Sequence, residues 1–244
     1  MKNTKSQSIL PLEFLILPTI FATFGFFISS VIFKANLKHL LLFAFLLLNA
    51  ALSSQKDVEL ALSLFNEGKS DESILLLNSV IEEDDKNAEA LYLRAYINLA
   101  EGHKANALRD YDLLIKVEPR HRGALTNRSL ILMEGEHYES ALEDLNLLVE
   151  DDPKDWRIIY ERGYCYGLMG KHNKAVEDFS RVIKLNPDHA EAYAQRGVSK
   201  INELSNEGLI RPAPEQCIDA CIDLKKAQEM GDTTVFKMIR IYCK

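Results

Sequence analysis

One interval governs the chain: between Ser54 and Asp232 the same residue types return every 34 positions. Arg94, Arg128, Arg162 and Arg196 mark it. So do Ala107, Ala141 and Ala175, then Asp110, Asp144 and Asp178, then Pro119, Pro153 and Pro187. A fixed period of this length belongs to stacked supersecondary units, each burying its apolar face only against its neighbours. A frame set on Ser54 gives repeats at 54–87, 88–121, 122–155 and 156–189, with a longer last repeat at 190–232.

Inside the second repeat, Leu91, Ala95 and Asn98 are spaced for one face of a first helix. Ala107, Tyr111 and Leu114 are spaced for one face of a second. Gly102-His103 separates the two, and Pro119 stops the second because proline has no N–H with which to continue it. Small residues fall where the helices should cross, at Ala95, Ser129, Gly163 and Gly197 on the first and Ala107, Ala141, Ala175 and Ala220 on the second. A close crossing needs short side chains at the contact. The last repeat is interrupted. Asn202 to Glu215, with Gly208, Pro212 and Pro214, reads as a loop insertion at 202–215. A second helix from Cys217 to Met230 follows and ends at Gly231-Asp232. Residues 233–244 then form a C-terminal capping helix, Val235 to Tyr242, capped by Thr233 or Thr234.

Gly163, Tyr166, Gly170, Ala175, Phe179 and Pro187, read together within one repeat, resemble the tetratricopeptide repeat. The resemblance covers about 190 residues. It implies an all-α fold, a right-handed superhelical solenoid of stacked helix–turn–helix units whose first helices line a groove for a protein or peptide partner. It also implies a non-catalytic interaction scaffold, with self-association or assembly, or an accessory subunit of an enzyme, as the alternatives. The first repeat departs from the pattern, with Asp57, Ser73 and Asp85 at marker places, as a terminal repeat can. The family's clamp for C-terminal carboxylates requires Lys and Asn where this chain has Val58, Leu62, Tyr92 and Tyr96, so that specificity is not expected.

Charge divides the chain. Residues 1–53 hold Lys2, Lys5, Lys34 and Lys38 against one acid, Glu13, so the remainder is more acidic than the overall balance of −7. An acidic domain without a basic patch is a poor match to nucleic acid, whose binding rests on neutralising phosphates. The leader contains two apolar runs. Phe14 to Phe33 carries no charge and is about long enough to cross a bilayer. Leu40 to Leu48 follows Lys34 and Lys38 and ends in small residues before Ser54, the pattern of a secretory signal. Two readings stay open: export with cleavage near Ser54, or a hydrophobic hairpin that anchors the chain in the membrane. Both place the repeats outside the cytoplasm, either periplasmic or extracellular.

Arginine is an unusual residue for the face it occupies. Arg94, Arg128 and Arg162 each precede an acid by 16 positions, at Asp110, Asp144 and Asp178, and Arg196 has Asp223 once the insertion is allowed for. The first repeat has Leu60 and Leu76 instead, losing both charges together. This joint presence points to a ladder of paired charges between first and second helices, since a buried guanidinium must be paired. A row of arginines for an acidic ligand is the alternative. Along the first helices, Tyr92, Thr126, Tyr160 and Ala194 form one row and Tyr96, Leu130, Tyr164 and Val198 the next. Tyr92/Tyr96 and Tyr160/Tyr164 share a helix face, and together with Asn127 and Leu130 they are the candidate partner-binding groove. Packing between repeats is the other use for these rings.

Other chemistry finds no support in the residues. His103, His121, His137, His172 and His189 read as solvated turn residues, and no two have the spacing of a zinc pair. No phosphate loop, nucleophile elbow or paired catalytic carboxylate is present, so neither a metal, a cofactor nor catalysis is expected. Asn127-Arg128-Ser129 matches a glycosylation acceptor but falls inside a helix. Of four cysteines, Cys221 and Cys243 could staple the final helix in an oxidising compartment, with Cys217–Cys243 as the rival pairing.

Overall fold

A computed structural model of the chain describes residues 39–42, 44–45, 52–206 and 212–243. Residues 1–59 and 60–244 form two separate bodies. In the first, 39–42, 44–45 and 52–59 are helical. Phe14–Phe33, and residues 43 and 46–48 of the second apolar run, lie outside the described residues. Among the described residues no helix is long and apolar enough to cross a membrane.

The second body is all helix among its described residues and is a right-handed superhelical solenoid of paired helices. Its first helix, α1, covers 60–66. It is followed by α2 (Ser70–Glu83), α3 (Ala88–Ala100), α4 (Lys104–Val117), α5 (Arg122–Glu134) and α6 (Tyr138–Asp151). Then come α7 (Trp156–Leu168), α8 (His172–Leu185), α9 (Ala190–Asn206), α10 (Ile218–Glu229) and α11 (Phe236–Tyr242). From α2 onwards each helix packs on the next: α3, α5, α7 and α9 each pack on their own second helix, and each second helix packs on the first helix of the following repeat.

The repeat chemistry explains the pairing. Ala95, Ser129 and Gly163 are fully or nearly fully buried, opposite Ala107, Ala141 and Ala175 at 0% exposure. A Cβ on Gly163 would sit 3.1 Å from Asp178 Cβ, and one on Gly197 would sit 2.9 Å from the Ala220 carbonyl. Close crossing therefore selects for missing side chains at these places. The residues before the column prolines, Glu118, Asp152 and Asn186, leave the helical region and end each second helix, as a following proline requires. The turn between helices needs a left-handed residue. Gly68, Gly102 and Gly170 supply it, whereas Glu136 holds that place at φ 60°.

The structure corrects the sequence reading at the last repeat. Residues 202–206, expected to be loop, continue α9 to Asn206. Nothing in that stretch breaks a helix, and Ile201 is buried, so the helix runs on to Asn206. A 3-10 turn at Pro214–Cys217 leads into α10. The final helix is not capped by a threonine side chain. Asp232 instead accepts from the Thr234 N–H and hydroxyl.

Candidate functional site

Each ladder arginine makes a two-pronged bond to the acid of its own second helix. Arg94 donates to Asp110 at 2.8 and 2.7 Å, and Arg128 to Asp144 at 2.9 and 2.6 Å. Arg162 reaches Asp178 at 2.8 and 2.7 Å, and Arg196 reaches Asp223 at 2.9 and 2.5 Å. Lys200 adds a third bond to Asp223 at 2.7 Å. The free Nη1 then reaches backwards into the preceding repeat, to Asn78, Asp112, Asn146 and the Ser180 hydroxyl in turn. One arginine thus ties its own pair together and the pair to its neighbour. Sequence reasoning missed this second set of partners, although it too recurs every 34 residues. Its mixture of Asn, Asp and Ser hides it. Hydrogen bonds to Asp144 hold the Arg128 guanidinium above its ordinary pKa. At Asp144 burial outweighs the arginine and pushes the carboxyl up.

The candidate groove residues divide into two kinds. Tyr92 and Tyr160 are half-buried. Tyr92 lies against Tyr111 at 6.2 Å and His121 at 4.9 Å between ring centroids. Tyr160 lies against Phe179 at 5.5 Å and His189 at 5.0 Å. Each ring is wedged between its own second helix and the start of the next repeat. Gly123 makes room for one of them, since a Cβ there would lie 2.7 Å from the Tyr92 ring. Tyr96, Leu130 and Tyr164, by contrast, are 45, 38 and 39% exposed on three successive first helices. Tyr96 stacks on Tyr92 and Tyr164 on Tyr160, so the exposed rings rest on the packed ones. Asn127 is half-buried, and its amide donates to the Tyr111 hydroxyl at 2.9 Å.

Three histidines differ from their expected place in solvent. His121 and His189 are half-buried, and each accepts at Nδ1 from the N–H three residues on, capping α5 and α9. Asn87 and Asp155 occupy the same column at the starts of α3 and α7. That 34-residue register could have revealed the role. His172 is buried, and its Nδ1 is a buried side-chain polar atom with no hydrogen-bond partner among the described residues. It helps line a cavity of about 170 Å³ together with Tyr164 and Leu168 of α7, Phe179 of α8, and Gln195 and Val198 of α9.

Two carboxylates, Glu161 of α7 and Glu191 of α9, lie close enough to interact. Glu161 is partly buried, and its carboxyl is pushed up first by burial and then by the charge of Glu191. Burial followed by the neighbouring Glu191 likewise holds the Tyr160 phenol above its ordinary range. The cysteines offer little chemistry. Cys221 and Cys243 are joined in a disulfide that fastens α11 to α10. Burial pushes the Cys165 thiol up to about 11 and the Cys217 thiol in the same direction, which suppresses the reactive thiolate. Among the described residues no group of three or more His, Cys, Asp or Glu side chains is placed to hold a metal ion.

Comparisons with known proteins agree with this architecture. Tetratricopeptide-repeat family models match residues 58–119 and 156–189. Among solved structures, the chain resembles YrrB, "a TPR protein with an unusual peptide-binding site", at 18% identity and a TM-score of 0.66. The match covers 75% of this chain and 90% of that one. It also resembles MamA from Desulfovibrio magneticus RS-1, at 19% identity and a TM-score of 0.62, over 72% of this chain and 94% of that one. A tetratricopeptide repeat protein from Parabacteroides merdae matches at 20% identity and a TM-score of 0.54, over 78% and 84%. No curated protein sequence matches the chain significantly. The small-residue crossings and left-handed turn positions thus recur in the two segments, 58–119 and 156–189, that tetratricopeptide-repeat models match.

Proposed function

We propose that the chain is a non-catalytic scaffold that holds a segment of a partner protein along its first helices. The observation that carries this is the line of exposed Tyr96, Leu130 and Tyr164 on α3, α5 and α7. Large side chains left open to water on successive repeats are costly to a purely structural surface and useful to a recognition surface. Tyr96 and Tyr164 are each braced by a second tyrosine, which lowers the entropy lost on binding. The peptide-binding site ascribed to YrrB supports the same use of this fold.

The test is the double substitution Tyr96→Ala/Tyr164→Ala. Central aromatic anchors commonly contribute about 2 kcal/mol each, roughly thirtyfold in affinity. The variant should keep its helical content and thermal midpoint while losing its partner. Normal binding by a folded variant would move recognition off the groove.

A second reading, self-association through the C-terminal end, has its own observation. Ile218, Ile222 and Phe236 are 59, 62 and 51% exposed there. Equilibrium sedimentation of the chain and of Ile222→Glu decides it: a wild-type dimer that Ile222→Glu dissociates supports association, and a monomer throughout excludes it. The proposed setting is outside the cytoplasm, by export or by a membrane anchor in the leader. The Cys221–Cys243 bridge supports an oxidising compartment. Mass measurement of the protein from its native host should give a mature start near Ser54. A full-length mass with membrane retention would favour the anchor.

A further inference from the structure

Gly167 has no structural reason to be glycine. Its backbone is helical, in the middle of the last turn of α7, where glycine is unfavourable relative to alanine. A Cβ added at Gly163 or Gly197 would collide with a neighbouring helix, but one added at Gly167 meets nothing within 4 Å. Every other repeat carries a large apolar residue at the same place, Phe65, Leu99, Met133 and Ile201. Met133 and Ile201 are buried there, at 7 and 1% exposure. The missing side chain leaves the cavity of about 170 Å³ that Gly167 helps to line, between α7 and α9.

We propose that this cavity is the anchor pocket of the groove, taking an aromatic side chain of the partner, with a Lys or Arg next to it held by Glu161 and Glu191. The proposal rests on the groove reading and names the chemistry of the segment that binds there. Size argues for a ring, since an apolar protein cavity of about 150 Å³ accepts benzene. The walls suit one too: Phe179 and Tyr164 offer ring faces and edges and Leu168 and Val198 add apolar surface, while His172 and Ser199 are the polar part of the wall. Gln195 and Asn202 in the lining provide polar contacts for the backbone of an entering chain.

The carboxylates specify the neighbour. Glu161 lies three residues before Tyr164, and Glu191 four residues before Gln195, so each is one helical turn from a residue that lines the pocket. A turn rises about 5.4 Å, and an extended peptide advances about 3.3 Å per residue. A cation one or two positions from the ring therefore meets them. The charge acting on partly buried Glu161 is the like charge of Glu191. A ligand cation placed there would relieve that repulsion in a setting of reduced solvent screening.

The test uses the purified full-length chain and a displayed library of random linear peptides. Enriched peptides should carry Phe, Tyr or Trp with Lys or Arg within two positions. Gly167→Met, which copies the third repeat, should weaken these peptides by about tenfold or more while leaving the thermal midpoint unchanged or higher. Glu161→Gln/Glu191→Gln should weaken them severalfold and flatten the salt dependence, with the requirement for a ring retained. Peptides that depend on Tyr96 but bind Gly167→Met as tightly as the wild type would overturn the pocket and leave the groove standing. Peptides that bind Tyr96→Ala/Tyr164→Ala unchanged, or no enrichment over that variant, would overturn both. Should Gly167→Met fail to fold, the carboxylate pair decides: unchanged affinity and salt dependence in Glu161→Gln/Glu191→Gln sinks the proposal.

Discussion

Arg128→Leu isolates the ladder at the rung whose acid is the most buried. The substitution removes two bonds to Asp144, whose side chain is 1% exposed, and one to Asp112, whose side chain is 53% exposed. The exposed bond contributes little. The cost comes from Asp144, left as a buried charge without its partner, and is about 2–4 kcal/mol. In a domain of this length that lowers a thermal midpoint by roughly 4–16 °C. Arg128→Leu/Asp144→Leu reproduces the Leu60/Leu76 pairing of the first repeat and should recover much of the loss. Denaturant unfolding followed by circular dichroism measures all three variants. The pH dependence adds a second signature. Removing Arg128 takes away the groups that lower the Asp144 pKa, so this carboxyl, already raised by burial, rises further. A raised carboxyl binds its proton more readily folded than unfolded, so the deficit of the single variant should shrink as pH falls through the raised value. Equal losses in the single and double variants, with no relief in acid, would refute the paired ladder.

Three further outcomes follow from the same geometry. Glu136→Gly replaces a side chain forced to φ 60° where three other repeats have glycine, and it should raise stability by about 0.5–1 kcal/mol in thermal unfolding; a loss would mean that the glutamate side chain stabilises the turn. Glu161→Gln removes a carboxylate that burial penalises, so it should stabilise the chain at neutral pH, with the gain fading as pH falls through the raised pKa of Glu161; a pH-independent difference would contradict that origin. Cys243→Ser opens a bridge across 22 residues whose closure is worth about 3 kcal/mol, and hydrogen exchange should rise in α11 while α5–α8 are unchanged; identical exchange in wild type and variant would remove any stapling role.

The period carried most of the architecture, because each repeat solves the same packing problem with the same residues at the same places. The Arg–Asp pairing was legible because the first repeat loses both charges at once. What the period hides is any position where different residue types do the same job. Asn78, Asp112, Asn146 and Ser180 all accept from the next repeat's arginine, and Asn87, His121, Asp155 and His189 all cap first helices. The continuation of α9 through 202–206 was missed because proline and glycine later in the insertion masked helix-compatible residues before them. The division of the tyrosines, with Tyr92 and Tyr160 packed and Tyr96 and Tyr164 open, depends on where the rings of Tyr111 and His121, and of Phe179 and His189, come to lie, which spacing alone does not give. Gly167 departs from its column of Phe65, Leu99, Met133 and Ile201, but only the open space around it shows that no neighbour requires a glycine there.

The central claim, that a partner lies along the first helices, is tested most directly by site-specific photocrosslinking in the native host. A photoreactive phenylalanine analogue is placed at Leu130, in the middle of the proposed groove and 38% exposed, or at Leu113 on the second helix α4, which is 43% exposed. The account predicts one discrete crosslinked product from Leu130, absent from Leu113 and lost when Tyr96→Ala/Tyr164→Ala is added. A product from Leu113 alone, or one from Leu130 that survives the double substitution, would contradict it.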